Sequence, residues 1–122
     1  LLSQKSKAIK VLRDPDRENR ILGINLLSAA NDRSIGPSVL GIVQESDFTR
    51  RELDEQELVL RLMANFPSPL VVAYFDQELN GSINRSKGVV ERQLMVVSLL
   101  VEMGTPDALA TLEKAKKRSK TC

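Results

Sequence analysis

The strongest hydrophobic pattern of the chain lies between Val89 and Lys117, where it predicts two helices joined by a tight stop. Apolar residues at helical spacing mark the first helix: Val90, Leu94, Val97 and Val101, with Leu99 and Leu100 beside them. Gly104 suits the left-handed turn just past a helix end, Thr105 suits a helix cap, and Pro106 suits the first helical position. The segment therefore predicts an antiparallel helical pair.

Two earlier segments repeat this plan of helix, stop and helix. The first has Asp14 as its expected cap and Asn31 as its expected stop. The second opens with Thr49 and Glu52, which match a capping box, and it breaks at 66–69, where two prolines disfavour helix in the residues before them. We therefore expect six main helices. A seventh, weaker helix is expected in residues 1–13, as a short element or the end of a preceding repeat.

The three stops give an internal repeat, because Asn31, Asn65 and Gly104 follow each other at intervals of 34 and 39 residues. Leucines stand five residues before each stop, and we expect them to be equivalent and buried: Leu26, Leu60 and Leu99. A helical pair at this interval is typical of an α-solenoid. An ordinary six-helix bundle is the alternative.

The predicted fold is therefore all-α, an α-α superhelix of about three helical hairpins stacked in order. The hairpins cover 14–46, 47–80 and 84–117, and a basic tail follows at 118–122. A chain of 122 residues can bury one elongated core. Aromatic residues make up only 3%, so aliphatic helix-on-helix packing is the natural expectation. The chain begins at Leu1 rather than Met, from which we expect a piece of a longer protein.

The repeated segments resemble bacterial HEAT repeats. The motifs that carry this resemblance are Asp14-Pro15 before a helix, an early arginine at Arg20 and Arg92, the corner Gly104-Thr105-Pro106, and the run Arg50-Arg51-Glu52-Leu53-Asp54-Glu55. They cover most of the chain between Asp14 and Lys117. The resemblance implies a superhelical scaffold or adaptor domain from a bacterial protein.

Several classes of chemistry are absent from the sequence. There is no histidine and only one cysteine, Cys122, which excludes His/Cys metal sites and histidine-dependent nucleophilic triads. The carboxylates Asp54, Glu55 and Glu57 cluster near one helix start, where we expect them to favour the positive end of the helix dipole and to stay solvated. We therefore expect no enzyme activity, no catalytic or metal-binding residue and no cofactor.

Binding through a surface remains, and a protein partner is the first expectation. The second helix of each pair would line a concave face, with its candidate residues at Gln44, Glu45, Tyr74, Asp76, Gln77 and Thr111. Tyr74 is the aromatic expected to reach the surface, while Phe75 is expected in the core. The alternative is a nucleic-acid-binding repeat that uses basic residues: Arg50, Arg51, Lys114, Lys116, Lys117 and Arg118.

The remaining expectations concern location. No apolar run reaches the roughly 18 residues that a membrane-spanning helix requires, so we expect no membrane insertion. The expected location is the cytoplasm. The net charge of +2 is too small to indicate a polyanionic partner by itself. The oligomeric state and the identity of the partner cannot be read from this pattern.

Overall fold

A computed structural model of the chain describes residues 2–30, 32–81 and 87–121, which form seven α-helices and no strand. The helices are α1 (Leu2–Val11), α2 (Arg17–Ala29), α3 (Ile35–Val43), α4 (Leu53–Ala64), α5 (Pro69–Asn80), α6 (Lys87–Met103) and α7 (Pro106–Thr121). A 3-10 turn, Phe48–Arg50, lies between α3 and α4. The all-α class is confirmed, and the helix expected before Asp14 is present as α1.

The helices pack in two rows. In one row α2 contacts α4 and α4 contacts α6, and in the other α3 contacts α5 and α5 contacts α7. Contacts of α3 with α4, and of α6 with both α5 and α7, join the rows, while α1 packs on α2. Helix α4 therefore has neighbours on several sides and lies at the centre of the molecule.

The predicted breaks within the last two helical pairs agree with the structure. Gly104 has a φ of 63°, the left-handed conformation that glycine adopts without steric cost. The backbone N–H of Ala108 donates to the Thr105 hydroxyl at 3.3 Å, so Thr105 caps α7. At α5 the Ser68 hydroxyl accepts from the N–H of Val71, and Pro69 follows as the first helical residue.

Two predicted caps are wrong. Helix α2 is capped by Asp16, whose carboxylate accepts from the N–H of Glu18 at 2.9 Å, while the Asp14 carboxylate instead accepts from the N–H of Asp16. Thr49 lies in the 3-10 turn, and α4 is preceded by Glu52 without a capping side chain, so the predicted capping box is not formed. In both places a short turn precedes the helix and moves its first residue along the chain.

The core consists of aliphatic side chains from every helix, with Phe48 and Phe75 among its largest members. Leu60 and Leu99 are buried as predicted, but Leu26 is 57% exposed, which makes the predicted equivalence of the three leucines wrong at the first position. The inward face of α2 instead carries Ile24 and Leu27. Asn31, the predicted stop before α3, lies outside the described residues, as do most of the loop before α6 and Cys122.

Candidate protein-binding surfaces

Helix α6 carries an exposed row of apolar side chains along its length. We define the α6 ridge as Val90, Leu94, Val97 and Val101, of which Leu94 is 66% and Val101 60% exposed. These residues follow each other at three- and four-residue intervals and therefore share one side of the helix. The sequence analysis used this row to predict the helix, and the structure places the row at the surface, with Val97 partly buried. Helix α6 has two apolar sides, and the ridge is the one that remains exposed.

The opposite side of α6 packs into the molecule. Val96, Leu99 and Leu100 are buried there, and Arg92 is almost buried with them. Along one flank of the helix, Glu102 accepts from Arg61 of α4 at 2.8 Å, so that flank faces α4. The ridge is therefore left open while the remainder of α6 is held by its neighbours. Leu109 of α7, 51% exposed, adds to the exposed apolar surface at this end of the chain.

A second apolar surface lies at the other end of the molecule, between α1 and α2. We define the α1–α2 groove as the cavity of about 400 Å³ that these two helices enclose. Its lining residues are Ala8, Val11, Leu26, Leu27 and Ala30, with the charged residues Lys7 and Asp32. Leu22, 55% exposed, lies one helical turn from Leu26 on the same side of α2.

Part of the predicted concave surface lies between α5 and α7. Asp76 and Thr111 line one open cavity of about 420 Å³ there, together with small side chains such as Ala73 and Ala110. Lys114 also lines it, with its ammonium 3.4 Å from the Asp76 carboxylate. This cavity therefore contains two predicted protein-binding residues, Asp76 and Thr111, and one predicted basic residue, Lys114. Asp76 and Lys114 form an exposed ion pair.

The other predicted protein-binding residues are separate from that groove. Gln44 is exposed at the end of α3, and Glu45 accepts from Arg13 at 2.8 Å. Gln77 is exposed on α5. Tyr74 is partly buried against the core, with its ring centroid 5.9 Å from that of Phe75.

Burial raises the pKa of the Tyr74 phenol to about 12. The nearby Glu78 carboxylate also raises this pKa, and the Arg92 guanidinium lowers it. Tyr74 therefore lies beside a charged pair between α5 and α6, with only part of its side chain at the surface. This placement leaves it less contact area for a partner than the sequence analysis expected.

A buried carboxylate at the start of α4 was missed by the sequence analysis. Glu55 is fully buried, whereas solvation was expected. Arg20 of α2 donates to it from two nitrogens, Nε to Oε2 at 2.7 Å and Nη2 to Oε1 at 2.9 Å. Arg51 donates to the same carboxylate at 3.3 Å. Because Arg20 donates twice and solvent is excluded, this is a strong charge-assisted contact between α2 and α4. The hydrogen bond to Glu55 also raises the pKa of Arg20.

The next residue continues the polar network toward α6. Gln56, also buried, donates to the Arg51 carbonyl at 2.7 Å and accepts from Arg92 of α6 at 3.4 Å. Arg92 in turn donates to the Glu78 carboxylate of α5. Arg20 and Arg92, the two early arginines named in the sequence, thus meet adjacent residues of α4. Only tertiary packing brings these groups together, so spacing along the chain does not reveal them.

Half of the predicted basic residues contact other groups within the molecule. Arg51 donates to Glu55 and to the Leu12 carbonyl, and its guanidinium lies 5.6 Å from the centroid of the Phe48 ring. Lys114 pairs with Asp76, and Arg118 donates to the Asn80 carbonyl. The exposed members of the predicted set are Arg50, Lys114, Lys116 and Lys117. The structure does not gather them into a stripe with stacking aromatic rings.

Two features of the described residues concern membrane insertion and metal binding. No helix in 2–30, 32–81 or 87–121 is long and apolar enough to span a bilayer. Within the same ranges, no three acidic or cysteine side chains are grouped in a way that could hold a metal ion. Comparisons with known protein families, curated proteins and solved structures found no match.

Proposed function

We propose that this chain is a non-catalytic, HEAT-like helical-repeat module that binds another protein through the α6 ridge. The observation that carries the proposal is the ridge itself, a row of apolar side chains whose members are up to 66% exposed. Contiguous apolar surface of this kind is unfavourable in water and marks interaction sites in soluble proteins. A row with three- and four-residue spacing suits the apolar side of an amphipathic partner helix.

The repeat character of the module is supported by the two rows of helices. Arg20 in α2 and Arg92 in α6 both reach α4, where they bind Glu55 and Gln56 respectively. Both arginines therefore connect α4 to its neighbours in the row. The row α2, α4, α6 and the row α3, α5, α7 are those expected of stacked pairs, and of the three predicted pairs α6 with α7 makes the most extensive contacts.

The α6 ridge is a better docking surface than the one expected from the sequence. The groove between α5 and α7 contains small side chains and the exposed pair of Asp76 with Lys114, which contribute little apolar area. Exposed ion pairs are worth only about 0–1 kcal/mol. Leu94 and Val101, in contrast, offer exposed aliphatic area that a partner can remove from water, at about 25 cal/mol per Å².

Photo-crosslinking with an incorporated benzophenone amino acid tests the proposal. The probe is placed at Leu94 or Val101, and in a control protein at Leu70, which is 58% exposed on α5. With extract of the source cells, we expect both ridge probes to form the same adduct and the control probe to form none. Mass spectrometry identifies the captured protein, which is then purified.

The purified partner provides the decisive measurement. We expect Leu94→Glu to weaken binding at least tenfold, or about 1.4 kcal/mol, and Leu70→Glu to leave it unchanged. Unchanged binding by Leu94→Glu would refute the proposal. The nucleic-acid alternative is correct if the captured species is instead a nucleic acid. Its affinity for the chain should then fall steeply with salt and be lost in the double variant Lys116→Gln/Lys117→Gln.

A further inference from the structure

We propose that the partner of the α6 ridge is the α1–α2 groove of a second copy of this chain, which gives head-to-tail association. The inference rests on the proposed function, because it uses the same ridge and names what covers it. Its starting observation is that one chain exposes both a convex apolar row and an apolar cavity, on helices at opposite ends of the same row.

The ridge and the groove have complementary shapes and the same apolar chemistry. The ridge presents branched aliphatic side chains at Leu94, Val97 and Val101, and the groove is an opening of about 400 Å³ lined largely by alanine, valine and leucine. In helical proteins, a ridge of side chains on one helix commonly packs into a groove between the side chains of another. A surface and a cavity of matching apolar character on one chain can therefore cover each other in two copies.

Contact between the ridge and the groove would continue the helix packing that already exists within the chain. Helix α4 packs between α2 and α6, so each of these end helices has a neighbour within the row on one side. Arg17 and Arg20 mark the side of α2 that faces α4, and Leu22 and Leu26 lie well around the helix from them. If α2 of a second copy approached the α6 ridge, the row of α2, α4 and α6 would continue from one molecule into the next.

The proposed contact has a defined symmetry. The ridge and the groove are different surfaces, so their contact is heterologous and leaves one ridge and one groove unused in every dimer. Such a contact continues into longer assemblies unless it closes into a ring. A single contact between like surfaces, either ridge to ridge or groove to groove, would instead stop at a dimer. Mutations on the two surfaces therefore have different consequences under the two arrangements.

Sedimentation velocity of the purified chain and three variants tests the inference. The variants are Leu94→Glu on the ridge, Leu26→Glu in the groove, and Leu70→Glu as a control of similar exposure on α5. For the wild type and Leu70→Glu we expect the average mass to rise beyond that of a dimer between micromolar and near-millimolar concentration. Each of the other variants alone should associate at least tenfold more weakly and remain monomeric. Circular dichroism verifies that all three variants keep the helical fold.

The decisive sample is an equal mixture of Leu94→Glu and Leu26→Glu. Each variant retains the surface that the other has lost, so the mixture should form a dimer and nothing larger. A wild-type chain that stays monomeric, a mixture that stays monomeric, or association weakened by only one of the two variants would overturn the inference. If self-association fails but the crosslinking probe at position 94 captures a different protein, the proposed function stands. If self-association fails and the probe captures no protein, both proposals are refuted.

Discussion

The substitution Glu55→Gln tests the polar network at the start of α4. It keeps the volume of the side chain and removes its charge, leaving Arg20 and Arg51 without the carboxylate that they share. Their side chains are only 16% and 10% exposed, so water can replace little of the lost interaction. Removing one partner of a buried ion pair costs about 3–5 kcal/mol. The glutamine oxygen and the backbone carbonyls that Arg20 also binds favour the lower end, about 3 kcal/mol.

The adjacent residue provides a matched control. Asp54 binds Arg17 at 2.7 Å, but its side chain is 65% exposed, so Asp54→Asn should cost no more than about 1 kcal/mol. The assay is urea unfolding followed by circular dichroism, with the free energies extrapolated to water. A cost below about 1 kcal/mol for Glu55→Gln, or a cost no larger than that of Asp54→Asn, would show that the buried pair is not a substantial part of the stability.

Three further predictions concern packing, titration and backbone conformation. Leu60→Ala should cost about 2–5 kcal/mol in urea unfolding because Leu60 is fully buried, while Leu26→Ala should change stability by less than about 1 kcal/mol. Phenolate absorbance reports Tyr74 alone, because it is the only tyrosine and there is no tryptophan. We expect the pKa of Tyr74 to be about 12 in the folded chain and about 10 in denaturant. The unfolded chain loses this proton first, so stability should fall by up to about 2–3 kcal/mol as pH rises from about 10 to 12, and Tyr74→Phe should remove that part of the fall. Gly104→Ala should cost about 1–2 kcal/mol in thermal or urea unfolding because its φ is 63°, whereas the exposed helical Gly88→Ala should be neutral or stabilising.

Local signals in the sequence predicted the helices well where a residue has one dominant conformational preference. The two prolines at 66–69 and the glycine at 104 mark breaks that the structure contains, because proline lacks a backbone donor and glycine tolerates positive φ. The caps before α2 and α4 were displaced because several polar residues in each place could serve. Choosing among them depends on where the preceding turn is packed.

The sides of the helices were harder to assign than their positions. Helix α6 is apolar on two sides, so periodicity alone cannot distinguish Leu94, which is exposed, from Leu99, which is buried. In α2 the neighbours Leu26 and Leu27 differ by 100° around the axis, and only Leu27 faces inward. The burial of Glu55 depends on Arg20, which is 35 residues away, and no local pattern signals that contact.

The central position of α4 determines how the chain can open. Arg20, Arg92 and the hydrophobic core all use α4, so a piece of the chain without it would leave charged groups and apolar surface uncovered on both sides. Partial unfolding can therefore begin at α1, which packs mainly on α2, or at the far end of α7, but we do not expect it to begin in the middle. The amide hydrogens of α4 should consequently exchange with solvent only when the whole molecule unfolds, and those of α1 should exchange much sooner.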